Sequence, residues 1–349
     1  MDGSDIVTDV TSKLASLALL AAMLPGADDA PTVEIGNGEL RVRIYLPDAS
    51  RGYYRGTRFD WSGVLYSLQY KGHEYYGPWF QRMDPKVHDF VYEGNDIVAG
   101  PNTAITGPVD EFGPLGWEAA KSGETFLKIG VGALRKPAGG KYDAFRLYDI
   151  ADAGKWSVRK LRDRIEFLHQ LIDMSSGYSY VYKKTVRLVP GEPEMVFEHS
   201  LKNTGQRTLG TTVYNHNFLI LDGQPPGPGL TISTPYQIES ARPPDKDLAE
   251  VRGKQIVYLK TLEGKDLVWG PVRGFGPRAE DHQVSIENSK LGIGMSIQGD
   301  RPLHSQTLWS IRSVMAIEPF ISLEIEPGRE STWKSTYRYY TLPASSGGK

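Results

Sequence analysis

The chain has 349 residues and not one cysteine. That absence excludes disulfides, cysteine-ligated zinc or iron–sulfur centres and thiol nucleophiles together. An excess of either charge is missing too, with 40 Lys+Arg against 42 Asp+Glu and a formal net charge of -2. Phosphate recognition leaves a basic footprint, so no nucleic-acid partner is expected. Long apolar runs are also scarce. The one candidate, Leu14 to Leu24 (LASLALLAAML), falls short of the roughly 20 residues that span a bilayer. It has the length of the apolar part of an export signal, with Lys13 before it and small residues around Gly26 and Ala27 after it, although the preceding MDGSDIVTDV is acidic. Residues 1–30 are therefore expected to be a leader and the protein secreted or periplasmic. A short N-terminal helix in a cytoplasmic protein is the alternative. Residues 344–349 (ASSGGK) read as a frayed tail.

Several site signatures are absent as well. There is no GK[ST] phosphate loop, no G-x-S-x-G elbow and no H-E-x-x-H, and the seven histidines show no metal-ligand spacing. No metal and no organic cofactor is expected. The chemistry left is that of carboxylate, imidazole, guanidinium and aromatic groups.

What the chain has in quantity is aromatic: 19 Tyr, 11 Phe and 7 Trp, side chains suited to strands and to the faces of sugar rings. Apolar residues alternate with polar ones along Glu39–Leu46, Val64–Tyr70, His73–Tyr76, Ile165–Ile172, Tyr178–Leu188, Glu194–Leu201, Thr211–Leu221, Gln255–Thr261, Gln283–Glu287, Leu291–Ile297, Val314–Ile325 and Ser331–Leu342. Lys71-Gly72 reads as a tight hairpin turn, and Gly223–Gly229 (GQPPGPG) as a surface loop rather than a domain linker. No period repeats. The expectation is an all-β protein, a large antiparallel β-sandwich forming one domain over 31–343.

Two segments carry candidate chemistry. In TTVYNHNFLILDG, His216 stands between two Asn in an apolar strand ending, where an imidazole could donate or accept a proton or simply be a satisfied core residue. In SVMAIEPF, Glu318 interrupts an apolar strand, which suits a carboxylate base, or a partner for Arg312. Arg58, in YYRGTRFDW, is a candidate substrate clamp, with pairing to Asp60 or stacking on Trp61 as the structural alternatives. His304 lies close before the Glu318 segment and is a further candidate. Tyr178 is kept as a sugar-contacting candidate, although the alternation of Tyr178, Tyr180 and Tyr182 also describes cross-strand packing.

The run Gly177–Gly223 resembles the central part of galactose mutarotase-like proteins, the aldose 1-epimerase superfamily. Their TNHxYFNL-type motif is matched by YNHNFLIL, with His216 on the motif's His and Asn215 on the Asn before it. Ala316-Ile317-Glu318 resembles the segment carrying the family's base. Gly299–Leu303 resembles its T-D-x-P stretch, and Pro327-Gly328 with Trp333 and Tyr337–Tyr340 its closing strand. The resemblance spans roughly Ile165 to Tyr340 and implies a supersandwich fold. It implies that Glu318 takes the anomeric proton while His216 protonates the ring oxygen, so that the pyranose opens, rotates and recloses. One departure stands out: the family's upstream L-H-G-G motif is missing, and no His occurs between His88 and His169. The contact made by that second His would fall to Trp117, Glu118, His88 or Arg58, or be absent.

The resulting expectation is a carbohydrate-active isomerase of the aldose 1-epimerase type acting on a mono- or oligosaccharide, as a monomer or weak homodimer. Two other functions fit the same residues: a polysaccharide lyase or glycosidase on this fold, and a non-catalytic carbohydrate-binding sandwich.

Overall fold

The computed structural model describes residues 29–239 and 245–343. The expected leader, apart from residues 29 and 30, and the expected tail at 344–349 lie outside the described residues. Two antiparallel sheets dominate. The larger has ten strands in the order Lys155–Lys160, Arg164–Asp173, Tyr178–Leu188, Glu194–Asn203, Glu330–Thr341, Ile293–Gly299, Gln283–Asn288, Leu230–Ser233, Gln255–Tyr258 and Ala249–Arg252. The smaller has five: Val268–Pro271, Ser305–Ile311, Val314–Ile325, Leu209–His216 and Val109–Phe112. A four-stranded sheet built from Thr32–Gly36, Leu40–Tyr45, Val64–Tyr70 and His73–Glu74 covers part of the larger sheet.

Period-two alternation places the layers. Along Glu330–Thr341, Trp333, Ser335, Tyr337 and Tyr339 are buried and their neighbours face outward. Tyr180, Tyr182, Leu201 and Trp333 of the ten-stranded sheet pack against Phe112, Leu209, Val213, Ile321 and Leu323 of the five-stranded sheet. Each such large side chain contributes about 2–3 kcal/mol by leaving water, so this interface fixes the sandwich. Tyr214, His216, Glu318 and Phe320 take the opposite face of the five-stranded sheet. There a second cluster, including Phe59, Trp79, Phe126 and Phe218, packs beneath the loops that arrive from residues 53–61 and 79–148.

The strand pattern read from periodicity holds for the long strands, and Tyr178–Leu188 and Val314–Ile325 have the expected bounds. The Lys71-Gly72 turn is a primed hairpin turn, with both residues at positive φ (47° and 85°). The Thr211–Leu221 run is different: its strand covers Leu209–His216 and stops, and Leu221–Gly223 forms a short 3-10 turn. Three strands of the site sheet, Val109–Phe112, Val268–Pro271 and Ser305–Ile311, were not evident from alternation. The first is buried at all four positions, the second is four residues containing Gly and Pro, and the third carries polar residues at its inward and outward positions alike.

Candidate active site

His216 ends its strand and Glu318 lies in the neighbouring one, and their side chains meet with Nε2 3.0 Å from Oε1. The imidazole lies flat on Phe218, with ring centroids 3.6 Å apart, and meets the edges of Phe59 and Trp309. A carboxylate only accepts hydrogen bonds, so Nε2 donates when Glu318 is ionised. Nδ1 is buried with no hydrogen-bond partner among the described residues. The proposed salt bridge from Arg312 to Glu318 does not form. Arg312 instead donates to the carbonyls of Gly264 and Asn95 and lies over Tyr92.

Beside the pair lies a buried charge network. Arg58 Nε donates to Glu111 Oε2 at 2.7 Å and its Nη2 to the Tyr214 hydroxyl at 3.0 Å, while that hydroxyl donates to the same Glu111 oxygen at 2.6 Å. Lys128 Nζ lies 3.5 Å from the other Glu111 oxygen and donates to the Phe112 carbonyl. Burial opposes the Glu111 charge, but Arg58 and Lys128 outweigh it and hold the carboxyl below its ordinary range. Burial also works against Arg58, and Glu111 with Tyr214 reverses it, so the guanidinium stays charged. Lys128 is pushed down to about 8 by burial, with Arg58 adding to the effect. Neither alternative read for Arg58 from sequence holds: Asp60 is buried against Lys184 and Ser62, and Arg58 lies over Phe59 and Phe145 instead of Trp61.

Phe145 belongs to a loop whose Asp143 lies 3.1 Å from His88 Nε2, and His88 in turn stands against the Phe145 ring. Nearby Asp89, bonded by the Thr103 hydroxyl, is raised by burial, against the opposing charge of Arg58. The cluster thus joins an imidazole–carboxylate pair to a guanidinium held in a fixed orientation. That is the equipment for proton transfer next to a hydroxyl- or carbonyl-bearing ligand.

Of the residues singled out from sequence, the structure brings His216, Glu318 and Arg58 into this one cluster, with His88 at its margin. Asn215 points the other way: its amide donates to Asp110 Oδ1 at 2.8 Å and is contacted by the Tyr337 hydroxyl in the sandwich interior. Adjacent residues of a strand face opposite sides, so Asn215 and His216 do not line the same surface. Trp117 is buried behind the site against Phe126, Tyr142 and Tyr148. Glu118 is exposed. Tyr178 packs in the inter-sheet cluster under Arg207, away from His216. His304 has an exposed side chain, and its backbone amide donates to the Phe320 carbonyl at 2.7 Å. Glu111, Tyr214 and Lys128 escaped sequence reading. The acidic pair in Val109-Asp110-Glu111-Phe112, flanked by apolar residues, was the available signal. A small cavity lined by Asp110, Asn215, His282, Asp300 and Trp333 lies on the other side of the same strands. Among the described residues no group of His, Asp and Glu is arranged to hold a metal.

No protein-family profile matches the chain, and a search of curated proteins finds no match. Solved structures do match over most of its length. A protein from Synechocystis sp. PCC 6803 superposes with a TM-score of 0.51 at 12% identity, over 93% of this chain and 100% of its own. A galactose mutarotase-like protein from Lactobacillus casei gives 0.51 at 13% identity, over 89% and 100%. A candidate aldose 1-epimerase from Escherichia coli K12 gives 0.51 at 14% identity, over 89% and 99%. The resemblance carried by the short motifs around His216 and Glu318 thus extends to the architecture, and the chain has the galactose mutarotase-like β-sandwich fold.

Proposed function

We propose that the protein is a carbohydrate-active isomerase that interconverts sugar anomers by acid–base ring opening, with His216 and Glu318 as the proton-transferring pair. The observation that supports this reading is their 3.0 Å contact on one sheet face, beside a guanidinium oriented by Glu111 and Tyr214. The ring oxygen and the anomeric hydroxyl are bonded to the same carbon. A pair this close can address both from one side, with the sugar lying over the pair rather than between its members. With His216 acting as the imidazolium, Glu318 takes the hydroxyl proton as His216 Nε2 delivers its own to the ring oxygen and is left as neutral imidazole, and the C1–ring oxygen bond breaks to leave an aldehyde. After rotation about C1–C2, the same groups return the protons and the ring closes on the other face. Arg58 supplies the hydroxyl or carbonyl contact that the missing upstream His would make.

A panel of freshly dissolved aldoses followed by polarimetry or NMR tests the reading. Mutarotation is expected to be accelerated for at least one of them, and Glu318→Gln and His216→Asn are each expected to lose about a hundredfold or more of that rate while remaining folded. No acceleration of any aldose by the wild-type protein would remove the assignment. The second reading, a non-catalytic carbohydrate-binding sandwich, draws on one observation: the pair's polar atoms are engaged with each other and little exposed, at 5% for His216 and 9% for Glu318. Saturable sugar binding that survives Glu318→Gln, without turnover, selects it.

A further inference from the structure

The strands carrying His216 and Glu318 are paired on either side of these residues but not through them. Tyr214 pairs with Phe320 on one side. On the other, an isolated bridge joins Leu219 to Met315, each amide donating to the other's carbonyl at 2.8 and 3.0 Å. Both contacts belong to one register, which sets His216 opposite Glu318, Asn217 opposite Ile317 and Asn215 opposite Pro319. Mutually bonded pairs recur at every second position of an antiparallel ladder, so the Asn217–Ile317 and Asn215–Pro319 positions are where backbone donors are due. Pro319 has no N–H to give.

The Asn217 side chain fills the gap. Its Nδ2 donates to the carbonyl of Ile317 at 2.8 Å and to that of Asn215 at 3.1 Å. Its Oδ1 accepts from the Tyr337 hydroxyl at 2.9 Å, and the same hydroxyl contacts Asn215 Oδ1. Both amide orientations are set by groups that only accept: two carbonyls for Asn217, and the Asp110 carboxylate for Asn215. Asn217 and Tyr337 are wholly buried, where a polar group is costly unless it is bonded. Tyr337 belongs to the ten-stranded sheet, so these bonds tie the backbone on both sides of His216, and the residue before Glu318, to the opposite layer of the sandwich.

We propose that Asn217 and Tyr337 are positioning residues, a side-chain bracket that replaces the broken ladder and fixes His216 against Glu318 at proton-transfer distance. The inference rests on the acid–base reading of that pair. A site needs its reacting groups held to within about half an ångström. Backbone pairing holds each residue on its outer side, His216 to Val109 and Glu318 to Thr307, and the bracket supplies the tie between the two that the interrupted ladder lacks.

The test compares Tyr337→Phe and Asn217→Ala with Tyr339→Phe, a control that deletes another buried hydroxyl of the same strand, one bonded to Tyr76. Two readouts are used: the imidazole ¹⁵N resonances of His216, assigned by their loss in His216→Asn, and the split between kcat and KM on any aldose the wild type accelerates. Tyr337→Phe is expected to move the His216 resonances and to lower kcat about ten- to a hundredfold with KM within about twofold, while Tyr339→Phe leaves the resonances in place. Tyr337→Phe keeps the ring and remains informative if Asn217→Ala does not fold. His216 resonances that stay put in Tyr337→Phe, or that move equally in Tyr339→Phe, overturn the bracket. A wild type that turns over no aldose defeats the proposed reaction, and the resonances then still decide whether the bracket holds the pair.

Discussion

Glu111 is the residue on which the charge balance beside the site turns, because one of its oxygens receives both Arg58 and Tyr214. Removing Arg58 leaves a buried carboxylate with only Lys128 at 3.5 Å and the Tyr214 hydroxyl as company. Breaking a buried pair in this way costs about 3–5 kcal/mol, whereas removing both charges together costs far less. Arg58→Met is therefore expected to lower stability by that amount in urea unfolding, and Arg58→Met with Glu111→Gln to recover only part of it, because buried Lys128 then loses the carboxylate it faces. A double variant no more stable than Arg58→Met would show that the pairing of Glu111 with Lys128 outweighs the cost of leaving Glu111 without Arg58.

Among the connecting elements, the turn between Thr125–Lys128 and Gly132–Arg135 is bound closely to the core. Gly130 adopts φ of +77° there, and a Cβ on it would stand 2.4 Å from Asp60 Oδ1. Its carbonyl accepts from the Trp61 amide at 3.1 Å, so the turn also holds the Arg58–Trp61 segment. Positive φ costs an L-residue about 1 kcal/mol and overpacking a further 1–3. Gly130→Ala is expected to lose about 2–4 kcal/mol in urea unfolding and to shift Asp60 and Trp61. Gly72→Ala, at a positive φ but with nothing within 4 Å of the added carbon, should lose only about 1 kcal/mol. Comparable losses at the two sites would mean that backbone strain alone, and not the contact with Asp60, sets the cost.

Across the whole molecule, the sandwich interior holds ionisable groups that make stability depend on pH. His169 and His199 are both pushed down to about 4 by burial. Between pH 6.5 and 4 the unfolded chain binds protons at these two positions that the folded chain does not, so stability is lost as the pH falls through that window, by about 3 kcal/mol for each. Asp60 has the opposite sign. Burial raises it to about 6, with Lys184 opposing, so its contribution favours the folded state as the pH falls. Asp110 and Glu111 lie below their ordinary values and lose stability only under more acid conditions. His282 is lowered by burial as well, while Asp89 and Glu74 are raised like Asp60. The two wholly buried histidines, pushed down to about 4, set the sign, a net loss. Urea midpoints measured from pH 7 to 4.5 are expected to fall, and a flat profile would show that these imidazoles are not held neutral in the fold.

Alternation along the chain was enough to identify an all-β antiparallel sandwich, because each long strand has one face against the interior and one against water, and that difference is written residue by residue. Short motifs were enough to single out His216 and Glu318, since an imidazole and a carboxylate each stand in an apolar run. The direction in which Asn215 points was not legible there. It depends on which of two adjacent residues the strand turns toward the sheet interior, and that is fixed by the packing of Val213 and Ile321 onto the ten-stranded sheet. Nor were Glu111 and Lys128, whose significance arises only when strands far apart in the chain bring them to Arg58. The 3.0 Å meeting of His216 and Glu318 is likewise a product of register between two strands about a hundred residues apart. A chain encodes the faces of its strands locally, but which faces meet is decided by long-range pairing, and the candidate site lies where those pairings converge.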